Sequence, residues 1–204
     1  MDQRAKRQIG EQLEPAGRPK APGSLALLQR FLNTWNRELP AEWDRLGTAQ
    51  SARVWLRQKD LIAQRARVSA AEAERLRGLR EAVRAIAVAN TTGQRDLPSE
   101  EIAGAAAAAA PLIVTFDGGG RTALRAHDPG GVNGAVSTLL GILHEAQLTG
   151  TWVRLKGCRH CGYVFYDLSK NRSATWCSMS ICGNRNKNRA HYRRHHPRVI
   201  GDAE

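Results

Sequence analysis

The four cysteines of the chain lie close to its C-terminal end, in two closely spaced pairs. Two residues separate Cys158 from Cys161, four separate Cys177 from Cys182, and fifteen lie between the pairs. Structural zinc is held by four thiolate or imidazole ligands in a tetrahedron, and two such pairs joined by a hairpin can supply them. Since four sulfurs leave no position open for water or substrate, the spacing predicts one structural Zn²⁺ bound by all four cysteines.

Two disulfide bonds are the alternative use of four cysteines. Disulfides persist in oxidising compartments and are disfavoured in reducing ones. The N-terminal segment shows no apolar signal-peptide core, so we expect a cytoplasmic, reducing location and prefer zinc. The histidines of the segment, which are His160, His191, His195 and His196, could compete as ligands, but the cysteines already complete a tetrahedron.

The cysteine segment also carries a family pattern beyond its metal ligands. The runs Trp176-Cys177-Ser178-Met179 and Cys182-Gly183-Asn184-Arg185 resemble the CGNR zinc finger. The likeness extends to seven further positions, which are Phe165, Asp167, Ser169, Asn171, Arg172, Lys187 and Arg189. The resemblance implies a small zinc-bound domain at the C-terminus of bacterial transcription regulators, with DNA as its partner.

The charge balance independently favours a polyanionic partner. The formal net charge is +12 and the pI is about 10.4. After residue 150 there are eleven Lys and Arg residues against three acidic ones. A nucleic acid is the simplest partner for such a chain. A membrane is disfavoured because no apolar run approaches the ~20 residues that span a bilayer. We therefore expect a cytoplasmic protein associated with the nucleoid.

A basic helix is predicted after the second cysteine pair, from about Ser178 towards His195, with Pro197 ending it. On such a helix Arg185, Arg189 and Arg193 would share one face. Amide and guanidinium groups can read adenine and guanine by paired hydrogen bonds. The predicted DNA-contacting residues are Arg172, Asn184, Arg185, Lys187, Arg189, Arg193 and Arg194. A solvated basic face, or a structural role for the pair beside Cys182, stays open as the alternative.

The elements that carry this finger are predicted to be mostly helical. Helical spacing of apolar residues recurs through residues 24–150. It predicts helices that begin near Ser24, Thr48, Ser69, Ser99 and Val132, with Ser24 and Ser99 as N-caps and Ser69 with Glu72 as a capping box. Residues 152–156 are predicted to form a short strand that leads into the finger. The β-branched run 112–116, the glycine-rich turn 117–120 and the run 121–126 predict a β-hairpin. The predicted fold class is mainly α with a small β-hairpin, an α+β chain joining a helical domain to a four-cysteine zinc finger with a basic helix.

A second resemblance concerns the helical part. An early Asn33-Thr34, then Asp44-x-Leu46, then Trp55-Leu56 resemble the ABATE domain, the usual partner of the CGNR finger. The resemblance covers about residues 24–150 and implies a sensor or dimerisation domain. The expected organisation is a disordered tail (1–23), the ABATE-like domain (24–150), the finger (151–197) and a short tail (198–204).

The polar pair Asn33-Thr34 interrupts an apolar helix. This position could bind a small-molecule effector, and it is the predicted effector site. The alternative, left open by the sequence, is that both side chains only satisfy backbone groups.

These features together predict a zinc-dependent DNA-binding regulator that senses an effector or forms a homodimer. A zinc-stabilised RNA- or protein-binding module without sequence-specific DNA readout is the alternative. The chain has few aromatic residues and no stacking motif, which disfavours specific single-strand RNA binding. We expect that the protein is not an enzyme, because the sequence shows no paired carboxylates, no nucleophile with a base and no open metal site.

Overall fold

The computed structural model describes residues 13–14 and 17–184. The α-helices of this part are α1 (Leu25–Leu32), α2 (Ala49–Gln58), α3 (Ala70–Thr92), α4 (Leu97–Ala108) and α5 (Val132–Leu148). Three antiparallel pairs of strands accompany them: β1 (Leu13–Glu14) with β2 (Arg18–Pro19), β3 (Leu112–Phe116) with β4 (Thr122–Ala126), and β5 (Leu155–Gly157) with β6 (Val164–Tyr166). The described part is therefore α+β, as predicted.

The long helix α3 is the centre of the fold. It begins at the predicted capping box, where the Glu72 N–H donates to Ser69 Oγ and the Ser69 N–H donates to the Glu72 carboxylate. Its buried stripe includes Leu76, Leu79 and Val83. Packed around it are α1, α2, α4 and the strand β5. One helix therefore contacts both the helical part and the strands that lead into the cysteines.

A single hydrophobic core runs across the expected boundary at residue 150. Trp152, Leu155, Val164 and Tyr166, all beyond that boundary, are buried in the same cluster as the apolar residues of α1, α3 and α5. Leu155 and Val164 are fully buried. The strand pair β5–β6 thus completes the core of the helical part.

Close contact between β5 and α3 depends on a glycine. A Cβ atom on Gly157 would lie 2.3 Å from Cγ2 of Val88 and 3.2 Å from its Cα. Any larger residue would push the strand away from the helix. Because Gly157 directly precedes Cys158, this contact also fixes where the cysteine segment starts.

Most predicted starts of elements are confirmed, and three details differ. Thr48 and Ser69 form capping boxes, and the hairpin β3–β4 occupies 112–126. The helix α4 is capped by Asp96, whose carboxylate accepts from the Ser99 N–H (3.3 Å), so the cap assigned to Ser99 is wrong. Ser24 precedes α1 without a side-chain cap. The predicted strand at 152–156 begins only at Leu155, after a 3₁₀ turn.

The expected disordered tail is too long at its C-terminal end. The Ala21 N–H donates to Oε1 of Gln29 (2.7 Å), and Gln29 Nε2 donates to the carbonyl of Pro19 (2.9 Å). Ala21 is buried in the core. This segment has no apolar period, so its order comes from hydrogen bonds to the buried side chain of Gln29 and from the burial of Ala21. Residues 1–12 and 15–16 lie outside the described part.

The helices among the described residues include none with the length and apolarity needed to cross a membrane.

Candidate metal centre

The four cysteine sulfurs form one buried cluster. All four Sγ atoms lie within 4.8 Å of one another. Cys177 Sγ is 3.7 Å from that of Cys161 and 3.6 Å from that of Cys182, and the Cys161–Cys182 distance is 3.7 Å. With Zn–S bonds of about 2.3 Å, a tetrahedron has S–S edges of about 3.8 Å, whereas a disulfide spans about 2.05 Å. The geometry therefore fits one tetrahedral zinc ion, and the cysteines are not disulfide-bonded.

The first ligand pair sits on a tight turn before β6. The Gly162 N–H donates to the carbonyl of Cys158 (3.0 Å), and the Cys158 N–H donates to the carbonyl of Tyr163 (2.9 Å). Gly162 has φ +72°, in the left-handed region that favours glycine. This reversal turns Cys158 and Cys161 towards the same point.

The second ligand pair is brought together by one helical turn, Met179–Gly183. The carbonyl of Ser178 accepts from the N–H groups of both Cys182 and Gly183 (3.0 Å each). Trp176 and Ile181 pack against the sulfurs and are partly buried. Trp176 therefore covers part of the cluster.

The strand β6 has two apolar faces with different neighbours. Val164 and Tyr166 belong to the main core, whereas Phe165, with Tyr163 directly before the strand, belongs to the cysteine cluster. This alternation follows from the two-residue period of a strand. One strand therefore joins the metal centre to the helical core.

Without a bound cation, the closely packed thiols disfavour one another's ionisation. Hydrogen bonds from Cys161 and Cys177 lower the pKa of Cys158, and the interaction with Cys158 raises the pKa of Cys161. Burial raises the pKa of Cys182 to about 12. Four thiolates are compatible with this buried site only when a cation binds them directly. The donor set therefore fits a structural zinc ion, which would hold the two ligand pairs together.

Arg18 lies beside the metal ligands, although the sequence placed it in the tail. Its Nε donates to Sγ of Cys177 (3.4 Å), and its guanidinium group lies 4.3 Å from the ring centroid of Tyr163. Burial lowers the pKa of Arg18, but the hydrogen bond with Cys177 and the charge interactions with Cys177, Tyr163 and Cys161 together outweigh it, so the pKa is raised. A zinc ion with four thiolates carries two negative charges, so this cation offsets part of them. No local sequence pattern connects residue 18 with residue 177.

A buried ion pair supports the loop between the two cysteine pairs. Lys156 Nζ donates to Asp167 Oδ2 (2.8 Å), and both side chains are almost fully buried. The Asp167 carboxylate also accepts from the N–H groups of Ser169 (2.8 Å) and Ala174 (3.0 Å). Lys156 further donates to the carbonyl of Arg172. Lys156 therefore holds the loop and is unavailable to a nucleic acid.

Asn33 of the predicted effector pair is hydrogen-bonded to the finger. Its Nδ2 donates to the carbonyl of Val164 (2.7 Å), and its Oδ1 accepts from the Val164 N–H (2.9 Å). The side chain thus pairs with the edge of β6 as a neighbouring strand would.

Thr34 is also occupied within the fold. Its Oγ1 donates to the carbonyl of Phe31 (2.8 Å) and accepts from the buried Arg80 (3.1 Å). Arg80 is itself paired with both carboxylate oxygens of Asp44 (2.6 and 2.9 Å). Asn33 and Thr34 therefore both bind backbone groups within the fold, and both also line a cavity, so their role in effector binding stays a prediction.

Two of the predicted DNA-contacting residues fall in the described part. Arg172 is exposed in a left-handed backbone conformation (φ +50°), and Asn184 is exposed directly after the turn that carries Cys182. The remaining predicted contacts, which are Arg185, Lys187, Arg189, Arg193 and Arg194, lie outside the described residues.

Comparison with known families agrees with the order of the two parts. The family model of the CGNR zinc finger matches residues 154–195. The ABATE family model, described as "Putative stress-induced transcription regulator", matches residues 25–149, more than half of the chain. No curated protein matches the chain significantly.

Proposed function

Because the chain belongs to the ABATE family and ends in a CGNR zinc finger, we propose that it is a zinc-dependent DNA-binding transcription regulator of the cytoplasm and nucleoid. In this proposal the finger contacts DNA. The helical part senses a small-molecule effector or forms a homodimer. The zinc ion has a structural role, because four sulfurs fill its coordination shell, and the chain has no catalytic activity.

One observation carries the proposal: the zinc-binding turn leads directly into a strongly basic segment. The turn that holds Cys182 ends at Asn184, where the backbone is helical. Residues 185–198 then contain six Lys and Arg residues and no acidic residue. Four sulfurs bound to one zinc ion would fix the point from which this charged segment starts. Phosphate neutralisation by such charges supplies most of the affinity for DNA.

The roles within this segment follow from the chemistry of DNA. Arg189, Arg193 and Arg172 are assigned to phosphates, which fix the position of a protein on the duplex but carry no sequence information directly. Asn184 and Arg185 are assigned to base edges, since an amide fits adenine and a guanidinium group fits guanine.

The test of phosphate contacts is a salt titration of duplex binding by fluorescence anisotropy. Each neutralised phosphate adds about 0.9 to the slope of log K against log salt. Arg189→Ala with Arg193→Ala should flatten the slope by up to about 2. The control pair, Arg65→Ala with Arg67→Ala, removes two exposed arginines of the loop before α3 and should leave the slope unchanged.

Zinc content must be equal in all variants before the slopes are compared. An unchanged slope in a zinc-replete Arg189/Arg193 variant would contradict the DNA assignment and favour the protein-binding module. Stronger binding to single-stranded RNA than to duplex would favour the RNA-binding module.

Base readout requires a preferred sequence, which selection from genomic fragments with the purified protein would provide. On that site Arg185→Ala should cost about 1–3 kcal/mol, while binding to unrelated duplexes changes far less. An equal loss on all duplexes would assign Arg185 to phosphate.

A further inference from the structure

A cavity of about 790 Å³ lies where the helical part meets the finger. Its walls come from the end of α1, the following loop, α2 and the cysteine turn. The side chains that matter are Arg45, Lys59, Trp43 and Trp55 on the helical side, and Arg18 and Tyr163 on the side of the metal centre. The volume is within the range of sites for small organic ligands, about 300–1,000 Å³.

The cavity is lined by more positive than negative charge. Arg18, Arg30, Arg45 and Lys59 line it, and Glu38 is the one carboxylate among its described lining residues. Glu38 Oε1 lies 3.6 Å from Nε2 of His160, and His160 is not among the residues that line the cavity. Within residues 17–184, neither Arg45 nor Lys59 has a side-chain hydrogen bond or ion pair. The cavity therefore offers cations that are not already neutralised by the fold.

The other part of the lining is aromatic. Trp55 is among the lining residues and is almost fully buried against Phe31, with ring centroids 5.9 Å apart. Trp43 is 63% exposed, an unusual fraction for a tryptophan. A flat apolar ligand could cover this ring and gain from its burial.

We propose that this cavity binds a small organic anion with an aromatic body, whose acidic group faces Arg45 and Lys59. The anion is the effector of the regulator. Its effector role rests on the proposed function, whereas the binding itself does not require DNA.

The cavity is connected to the metal centre by the side chain of Arg18. Arg18 lines it and donates to Sγ of Cys177 (3.4 Å), so an anion that reaches Arg18 competes with a metal thiolate for the same guanidinium group. Asn33 lines it and holds the edge of β6. Bound ligand should therefore change the rate at which zinc is lost to a chelator.

The test is isothermal titration calorimetry on the full-length, zinc-loaded protein with 2-naphthoate. The matched neutral probe is 2-naphthalenemethanol, which keeps the rings and lacks the charge. We expect saturable 1:1 binding of the anion, with the neutral probe at least about 10-fold weaker. Arg45→Gln and Lys59→Gln should each weaken the anion by about 3- to 10-fold, as charged contacts at partly exposed sites do.

The control is Arg65→Gln, which removes an exposed arginine that does not line the cavity. It should leave the affinity unchanged. Equal affinity for the two probes, equal losses in Arg65→Gln and Lys59→Gln, or no saturable binding of 2-naphthoate would each overturn the proposal.

A chelator assay gives a second readout. Saturating 2-naphthoate should change the rate of zinc transfer to a colorimetric chelator at least 2-fold. Lys59→Gln should raise the 2-naphthoate concentration that gives half of this change by about 3- to 10-fold. An unchanged rate at saturation would overturn the route through Arg18. Neither readout contains DNA, so a failed salt titration and a failed anion titration are separate results.

Discussion

Replacing Asn33 with alanine should weaken the contact between the finger and the helical part. The change removes two hydrogen bonds between the side chain and the backbone of Val164, of 2.7 and 2.9 Å. Val164 itself is fully buried, which limits the access of water to the backbone groups that lose their partner. The Val164 carbonyl keeps a second donor, Nε2 of Gln29 (3.3 Å), whereas its N–H loses the partner supplied by Asn33.

The expected cost follows from this unequal loss. A buried polar group without a partner costs about 1–3 kcal/mol, and a lost hydrogen bond about 1 kcal/mol. The free energy of unfolding should therefore fall by about 3 kcal/mol. For a chain of this size each kcal/mol lowers Tm by about 2–4 °C, so the expected decrease is about 6–12 °C.

The assay is calorimetry of zinc-loaded protein, with Asn36→Ala as the matched control. Asn36 is the same residue type, lines the same cavity and accepts one hydrogen bond from the Glu38 N–H (3.0 Å) at the surface. Its loss should cost less than about 1 kcal/mol. If Asn33→Ala melts with wild type and loses only 2-naphthoate binding, Asn33 is a ligand contact and the structural argument is refuted.

Three further outcomes follow from the metal centre and its supports. Purified protein should carry about one zinc ion per chain, measured by atomic emission. Cys177→Ser should lose the zinc ion while the helical circular dichroism signal persists. A full zinc content in that variant would contradict the assignment of four cysteine ligands. Lys156→Met should cost about 3–5 kcal/mol in urea unfolding because Asp167 stays buried and charged, and a cost below about 1 kcal/mol would show that the pair is hydrated. Burial raises the pKa of Asp44, but hydrogen bonds from Arg80 and the Leu46 N–H outweigh it, so the pKa is lowered. The contribution of Asp44 to the free energy of unfolding is therefore complete above about pH 4. It is lost as the pH falls through the pKa of Asp44 in the folded protein. Asp44→Asn, compared at equal zinc occupancy, should remove this part of the acid dependence, and an unchanged acid profile would contradict it.

The features that could be predicted from the sequence are those encoded within a few residues. The spacing of Cys158 and Cys161 specifies one half of a metal site, and Ser69 with Glu72 specifies the start of a helix. The glycine-rich turn between β3 and β4 likewise identified a hairpin. In each case the partners are local, so a one-dimensional pattern contains the whole interaction.

The supports of the site depend on partners far apart along the chain. Arg18 and Cys177 are separated by 159 positions, and Asn33 and Val164 by 131. The polar, proline-containing sequence around Arg18 is typical of a tail, and nothing within it shows that a thiolate lies nearby. The close approach of Gly157 to α3 is equally invisible, since a glycine in a short strand has several explanations.

The buried Arg84 adds a second link between the helical part and the cysteine turn. From α3, its guanidinium group donates to the carbonyls of Leu32 (2.5 Å) and Trp35 (2.6 Å) and reaches that of Gly162 (3.4 Å). Burial lowers its pKa to about 10, which leaves it charged at neutral pH. The end of α1 and the metal turn are thus held by the same cation.

This second link constrains how an effector signal could reach the finger. Val164 lies between Tyr163 and Phe165, which pack on the sulfurs, and its own side chain lies in the helical core. A shift of α1 against β6 would therefore displace Val164, and its direct neighbours Tyr163 and Phe165 contact the cysteine cluster. It would also strain Arg84, which holds α1 and Gly162 together. A well-packed core resists small displacements. A change confined to the metal turn should therefore cost less free energy than a rotation of the whole finger.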